Sequence, residues 1–182
     1  MKTTLHFIVF FLFIQFKAIS QIEKLNSKRI LKKLEINQHN LNLFYFLEPT
    51  CPISQKYQSV ISAINKEFTI NDVNSTFIFP NKFSSPNSNI QFANEIDPKS
   101  SVILDQKKSI TNQLGAKTTP EVFLINSKGE IEYKGAIDDW FYQLGKKRNE
   151  PTQHYLKNAI KNYLLKYPII PKFTEAIGCD IE

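Results

Sequence analysis

The chain has 182 residues, of which 42% are hydrophobic and 22% are charged. This length and apolar content fit a single domain with a substantial buried core. The formal net charge is +6, but the lysines are scattered among acidic residues. Nucleic-acid binding needs a clustered basic face with aromatic or arginine readout, so the composition argues against that class of protein.

Residues 1–20 have the features of a secretory signal peptide. A charged start is followed by an apolar run at 5–16 that is too short to span a bilayer. Residues 18–20 (Ala-Ile-Ser) place small side chains where signal peptidase needs them. We therefore expect export to the periplasm or cell envelope, with cleavage before Gln21. The alternative is an uncleaved segment that anchors the domain to the membrane.

A central strand and a long helix are predicted next. Residues 21–40 form a basic lead-in, in which we expect a short helix at 27–34. Residues 41–47 are almost continuously apolar and rich in aromatics, which is typical of a strand buried on both faces. Apolar side chains then recur at helical spacing through 53–68, and Pro52 is well placed in the first helical turn.

Between residues 73 and 115 the chain alternates strand-like and helix-like segments. The pattern predicts a strand at 73–80, a polar loop at 81–88, a helix at 89–96, a strand at 101–104 and a helix at 106–114. Gly115 lies where a helix commonly ends.

The last part of the chain predicts a hairpin, a helix and a tail. The hairpin has strands at 121–126 and 130–135, and the helix covers 152–167. The tail at 168–182 has two prolines, and its apolar residues show no regular spacing. The order of elements predicts an α/β fold with a mixed central sheet flanked by helices, formed by a domain at 41–167 that carries the tail.

The two cysteines, Cys51 and Cys179, are the candidate chemical groups. Cys51 lies at the junction of the predicted central strand and the following helix, where free N–H groups and the helix dipole stabilise a thiolate. In an oxidising compartment the pair can form a structural disulfide, a redox couple or two independent thiols, and the sequence leaves all three open. The cysteines and histidines lack the paired spacing typical of zinc ligands, so we expect no metal site.

Two separated motifs resemble the thioredoxin superfamily. A buried strand ends at residues 51–54 (Cys-Pro-Ile-Ser), and a distant Thr119-Pro120 pair opens the predicted hairpin. In that superfamily a Thr-Pro pair carries a cis-proline packed against the active-site cysteine, beside a backbone edge that pairs with an extended substrate. The resemblance therefore implies a thioredoxin-like fold in which Pro52, Thr119 and Pro120 contact the substrate.

Three further segments are similar to bacterial redoxin-domain proteins, which are related to the alkyl hydroperoxide reductase and thiol-specific antioxidant group. These segments are 115–123, 133–139 and 174–181, the last of which contains Gly178-Cys179. Together the motifs extend over roughly residues 40 to 181, which makes them more specific than an isolated Cys-x-x-Ser.

Two departures from the family patterns bear on the chemistry. Thioredoxins have a second cysteine where this chain has Ser54, so a mixed disulfide needs another resolving thiol, and Cys179 is the candidate. Peroxiredoxins place a proline and a threonine or serine before their reactive cysteine, where this chain has Phe44 and Glu48. Peroxide reduction is therefore the less expected activity.

The leading hypothesis is a thiol-disulfide oxidoreductase or related thiol-dependent reductase, with Cys51 as nucleophile and Cys179 as resolving thiol. It implies no cofactor, and its partners are a protein disulfide or thiol substrate and a reducing partner. The alternative is a non-catalytic binding module in which the bridge is permanent and the edge at Thr119-Pro120 holds a partner peptide by strand addition. A metal-delivery role ranks last, because Cys51 has no second soft ligand nearby.

Four other polar residues are weaker candidates for the site. Asp138 and Asp139 follow the predicted hairpin, and we interpret these paired acids as turn or solvent residues. Glu121 begins the hairpin and is a weak candidate for the same face. His154 lies near the start of the last helix, and we interpret it as a surface or capping residue.

Overall fold

The computed structural model describes residues 41–71 and 73–182. The predicted signal peptide, lead-in helix and membrane anchor lie outside these residues. Within them, no helix is both long enough and apolar enough to cross a membrane. The elements in chain order are β1 (Leu41–Phe46), α1 (Pro52–Phe68), β2 (Val73–Phe79), α2 (Pro86–Ile96), β3 (Ser101–Leu104), α3 (Ser109–Leu114), β4 (Thr118–Thr119), β5 (Glu121–Ile125), β6 (Ile131–Gly135), β7 (Phe141–Gln143), β8 (Lys146–Lys147), α4 (Tyr155–Leu164) and β9 (Cys179–Asp180).

Five strands form a mixed central sheet in the order β3-β2-β1-β5-β6. β1 pairs in parallel with β2, and β2 pairs in parallel with β3. On its other side β1 pairs antiparallel with β5, which continues into the β5–β6 hairpin. The predicted α/β architecture with a mixed sheet flanked by helices is therefore confirmed.

β1 is the centre of the sheet, as its apolar run predicts. All six of its residues are buried. One face carries Leu41, Leu43 and Tyr45 into a core shared with α1. A strand covered on both faces has no solvent side, which explains why its sequence does not alternate between polar and apolar residues.

The helix α1 begins directly after Cys51. Cys51 is its N-cap residue and Pro52 occupies the first turn, where a missing N–H costs nothing. The buried face of α1 contains Ile53, Tyr57 and Ile61, at the helical spacing seen in the sequence. Burial of this face fixes the helix against β1, so the position of Cys51 is set by the core.

Two predicted boundaries in the middle of the chain are wrong because polar side chains cap the helices. The predicted loop 81–88 ends early: Pro86 starts α2, and Ser85 Oγ accepts a hydrogen bond from Ser88 N. The predicted helix 106–114 starts only at Ser109. The Asp105 carboxylate accepts hydrogen bonds from backbone N–H groups at the start of α3 and holds the preceding residues in a turn.

The predicted helix 152–167 is also longer than α4. The Asp139 carboxylate accepts hydrogen bonds from the backbone N–H groups of Thr152 and Gln153, which keeps them in the preceding loop. At the other end, Pro168 disfavours helical geometry at the residue before it, and the helix stops at Leu164. The short hairpin β7–β8 lies in a segment for which no element is predicted.

The tail at 168–182 lies on the domain, as expected. Lys134 N donates to Lys172 O, and Thr174 N donates back to Lys134 O. Thr174 Oγ1 also accepts from Ala136 N, and a Cβ at Gly135 would collide with Thr174. The tail then ends in β9, a strand that its sequence does not predict.

Candidate active site

Cys51 lies at the carboxyl end of β1 and at the amino end of α1. Its backbone N–H donates to Glu48 O, and its side chain makes no capping bond to the helix. Cys51 is the N-cap residue of a 17-residue helix, so its sulfur lies at the positive end of the helix dipole, which favours a thiolate over a thiol there. Only 2% of Cys51 is exposed.

The burial of Cys51 is explained by its disulfide with Cys179. The two residues are 128 positions apart in sequence, and their Cα atoms are separated by 6.0 Å, within the range that a disulfide spans. The structure therefore brings together both predicted catalytic residues. The sequence leaves open a structural disulfide, a redox couple or two independent thiols. The structure contradicts the last of these, because the two cysteines are bonded to each other.

Thr119 lies against the disulfide, and Pro120 follows it in the chain. Their peptide bond is cis, as the resemblance to thioredoxins implies. Both residues are buried, and the carbonyl oxygen of Thr119 is 3.2 Å from Cys51 Sγ. Pro52 flanks Cys51 on the other side and is exposed. The predicted substrate-contacting residues thus surround Cys51.

The backbone edge beside Pro120 is occupied by the chain's own tail. β9 pairs antiparallel with β4, so that Cys179 lies opposite Thr119 and Asp180 opposite Thr118. Ile181 N donates to Lys117 O at 3.0 Å. The tail therefore lies where the resemblance places an extended substrate. The glycine before Cys179 is the one feature of the tail's sequence that hints at this close approach.

Ser54 has a structural role. It is completely buried, and its Oγ accepts a hydrogen bond from Glu48 N at 3.4 Å. This contact ties the first turn of α1 to the start of the loop after β1.

Glu48 shapes the loop that leads to Cys51. It is buried, and its Oε1 accepts hydrogen bonds from the N–H and hydroxyl of Thr50 and from the hydroxyl of Ser84. Among the described residues its Oε2 has no partner. In the sequence, Glu48 is notable only as a departure from the peroxiredoxin pattern, which does not predict its role in the loop. The sequence feature that could have indicated this role is an acidic residue between an apolar run and a cysteine.

Asp138 and Glu121 are both buried, so Asp138 is not a solvent-exposed residue. Asp138 Oδ1 accepts hydrogen bonds from the Tyr57 hydroxyl and from Trp140 N. Burial raises the pKa of Asp138, and the bond from Tyr57 only partly opposes this. Glu121 Oε2 accepts from Lys117 N at 2.7 Å and so supports the strand next to the tail.

Asp139 and His154 agree with their interpretations. Asp139 organises the loop before α4 and also pairs with Arg148. His154 is exposed at the N-cap position of α4, although its side chain makes no capping bond there. Within the part of the chain that the structure describes, no three His, Cys, Asp or Glu side chains are grouped as metal ligands.

Comparison with known proteins identifies the fold. No protein-family model matches the chain, and no curated protein matches it in sequence. Among solved structures it is similar to a hypothetical protein from Sinorhizobium meliloti, with a TM-score of 0.70, 20% identity and 81% coverage of both chains. It is also similar to a conserved protein from Geobacillus kaustophilus, with a TM-score of 0.68 and 19% identity over 79% of this chain and 77% of the other.

A third similar solved structure is described by its fold. It is a thioredoxin-like protein in its oxidized form, with a TM-score of 0.53 and 11% identity over 70% of this chain and 80% of that one. At these identities the likeness establishes the fold alone, which is thioredoxin-like. The narrower resemblance to redoxin-domain proteins stays a prediction.

Proposed function

We propose that this chain, which has a thioredoxin-like fold, is a thiol-disulfide oxidoreductase of the cell envelope with Cys51 as nucleophile and Cys179 as resolving thiol. One observation carries the proposal: the disulfide joins a sulfur at a helix N-terminus to a tail that fills the edge beside Pro120. The signal peptide predicted at residues 1–20 supports the envelope location.

The reaction begins from the reduced pair. The Cys51 thiolate attacks one sulfur of a substrate disulfide, so that a Cys51–substrate bond forms, the substrate disulfide breaks, and the other substrate sulfur leaves as a thiolate. The Cys179 thiolate then attacks Cys51 Sγ, which releases the substrate and forms the Cys51–Cys179 disulfide. Two electrons pass to the substrate, and a reducing partner must restore the two thiols.

Helix α1 supports the first step, because its N-terminus stabilises the Cys51 thiolate that attacks the substrate. It also supports the restoration of the thiols, in which Cys51 leaves as a thiolate when the reducing partner attacks Cys179. The tail supports the second step, because its pairing with β4 returns Cys179 to the position opposite Thr119, next to Cys51. A resolving thiol held in place reacts as an intramolecular group and needs no encounter in solution.

A permanent bridge in a binding module is the second candidate. It is favoured by the close fit of the tail, in which the hydroxyls of Thr118 and Thr119 both donate to Cys179 O. The pairing of the tail with β4 argues against the binding-module candidate, however. A permanent bridge keeps the tail on β4, and the edge that a partner peptide would use for strand addition stays filled.

The reduction potential of the pair separates the two candidates. The purified chain is equilibrated in glutathione buffers of graded potential, and free thiols are counted by labelling. We expect a midpoint near about −200 mV, where a disulfide exchanges in an oxidising compartment. A midpoint below about −300 mV would identify a structural bridge instead.

Activity assays with two matched variants complete the test. Cys51→Ser should abolish the reduction of insulin disulfides, because no nucleophile remains. Cys179→Ser should instead accumulate a covalent adduct between Cys51 and the substrate, visible by mass spectrometry. Equal insulin reduction by the wild-type chain and Cys51→Ser would refute the catalytic role of Cys51.

A further inference from the structure

The tail at residues 178–182 lies along the edge of β4 beside Cys51, which we call the groove. The fit of the tail therefore indicates which substrates the groove accepts. Its sequence is Gly-Cys-Asp-Ile-Glu, and its cysteine is bonded to Cys51. This arrangement has the covalent form of a mixed disulfide between an oxidoreductase and a bound substrate. The surface around each tail residue therefore indicates which side chain a substrate can present there.

The position before the cysteine has no space for a side chain. A Cβ on Gly178 would collide with the carbonyl oxygen of Thr119 and with Thr118 Oγ1. Both threonines are buried, and backbone packed against Cys51 has little freedom to withdraw. A segment that follows the path of the tail thus needs glycine at this position.

The cysteine itself is held through main-chain atoms. Cys179 O accepts hydrogen bonds from Thr118 Oγ1 at 3.0 Å and from Thr119 Oγ1 at 3.3 Å. Ile181 N donates to Lys117 O. Because these contacts use only backbone groups of the tail, they fix an extended, antiparallel path without selecting a sequence.

The third position after the cysteine lies beside positive charge. Glu182 lines a surface cavity of about 580 Å³ together with Lys82, Lys107 and Lys108. These lysines follow β2 and β3 at the carboxyl edge of the parallel strands. An acidic side chain three residues after a bound cysteine is attracted to this cavity, and a basic one is repelled.

We propose that the substrate of Cys51 is an extended polypeptide segment with glycine directly before its reactive cysteine and an acidic residue three positions after it. This inference rests on the proposed function. Reduction of the bridge leaves the tail held by non-covalent contacts alone, so a substrate segment of the same pattern replaces it. Cys51 then attacks the substrate cysteine, whose former partner sulfur leaves as a thiolate, and Cys179 releases the segment as described above.

Synthetic peptides test the pattern in the full chain carrying Cys179→Ser, in which the adduct on Cys51 is stable. The probe is Ile-Gly-Cys-Asp-Ile-Glu with its cysteine joined to glutathione, and the rate of peptide adduct formation is read by mass spectrometry. Replacing the glycine by leucine should slow adduct formation by about tenfold or more, because the side chain overpacks the site. Replacing the glutamate by lysine should slow it by about fivefold at low salt, and less at high salt.

Charge-reversal variants identify the surface responsible. The combined change Lys82→Glu, Lys107→Glu and Lys108→Glu should invert the preference between the acidic and basic peptides and leave the glycine preference intact. The control reverses three exposed lysines outside the cavity, Lys66→Glu, Lys99→Glu and Lys128→Glu, and should keep the original preference at the same net charge.

Two outcomes would overturn the proposal in different ways. Equal rates for all three peptides would refute the substrate pattern, while the adducts themselves would uphold Cys51 as a nucleophile toward disulfides. The absence of an adduct with every peptide would refute the proposed function together with the pattern.

Discussion

The buried pair of Tyr57 and Asp138 ties α1 to the segment after β6. Burial raises the pKa of Asp138, and burial together with the nearby Asp138 raises that of Tyr57, so the tyrosine stays protonated and donates. The folded state therefore binds the Asp138 proton more tightly than the unfolded state does. The resulting stabilisation is complete below the ordinary pKa of aspartate, about 3.9, and is lost as the pH rises through the folded-state value.

The Asp138→Asn variant isolates this effect, because asparagine keeps an acceptor for Tyr57 but does not ionise. We expect the unfolding free energy of the variant, relative to wild type, to increase as the pH rises from acid to neutral. Urea denaturation at several pH values measures the difference.

Asp139 provides a control of opposite sign. Partial burial opposes ionisation, but the hydrogen bonds from Thr152 and Gln153 outweigh it and lower the pKa of Asp139. Its stabilising contribution is present above the unfolded pKa and is lost as the pH falls. Asp139→Asn should therefore lose stability relative to wild type as the pH rises, and parallel slopes for the two variants would contradict this account.

The two sulfurs of the bridge differ in accessibility, which predicts where a reducing thiol attacks. Cys179 is half-buried, whereas 2% of Cys51 is exposed. Attack on Cys179 also releases the Cys51 thiolate at the helix N-terminus, the better leaving group. With limiting glutathione and rapid quenching, peptide mapping should find the glutathione adduct on Cys179. An adduct mainly on Cys51 would contradict the prediction.

At the scale of elements, the tail strand β9 depends on Gly178. In the bridged state the tail is forced against Thr119, and a Cβ at this position collides with it, whereas the reduced tail can move away. Gly178→Ala should therefore destabilise the disulfide form by about 1 to 3 kcal/mol. This corresponds to a rise in reduction potential of about 20 to 65 mV, measured by glutathione titration.

Gly145 supplies the matched control for this measurement. It lies between β7 and β8 with a φ of +72°, and a Cβ there meets nothing within 4 Å. Gly145→Ala should lower overall stability slightly through backbone strain and leave the potential unchanged. A potential that does not respond to Gly178→Ala would show that the tail adapts to the added methyl group in both states.

The elements that the sequence predicts are those whose own pattern determines them. β1 is an apolar run because both of its faces are buried. The apolar residues of α1 recur at helical spacing because only one face of that helix is buried. The errors lie where distant groups decide: Asp139 shortens α4, and β9 forms only because β4 is there to pair with it. A strand of two residues is too short to show an alternation of polar and apolar residues in the sequence.

The same distinction applies to the site. The strand-helix junction and the Thr119-Pro120 pair locate Cys51, Pro52 and the groove from local motifs. The occupation of the groove by the tail depends on packing of Gly178 against Thr119, which a sequence does not display.

For the whole molecule, the disulfide links the centre of the sheet to the last residues of the chain. Closing a loop across 128 positions stabilises the folded state by about 4 to 5 kcal/mol in the loop-entropy model. Reduction of the wild-type chain should therefore lower its unfolding free energy by up to this amount. Urea denaturation with and without reductant measures the loss, and Cys179→Ser, which has no bridge, should not respond to reductant.

The size of that loss also discriminates between a working couple and a structural bridge. By the thermodynamic cycle that joins folding and reduction, the stability difference equals the difference in potential between the native and the unfolded pair, about 30 mV for each 1.4 kcal/mol. Stabilisation of the Cys51 thiolate by α1 exists only in the folded, reduced chain, so it raises the native potential and reduces the loss. We expect a loss clearly below about 4 kcal/mol. A loss of about 5 kcal/mol or more would mean that the fold does nothing to stabilise the reduced cysteine, and that the bridge is structural.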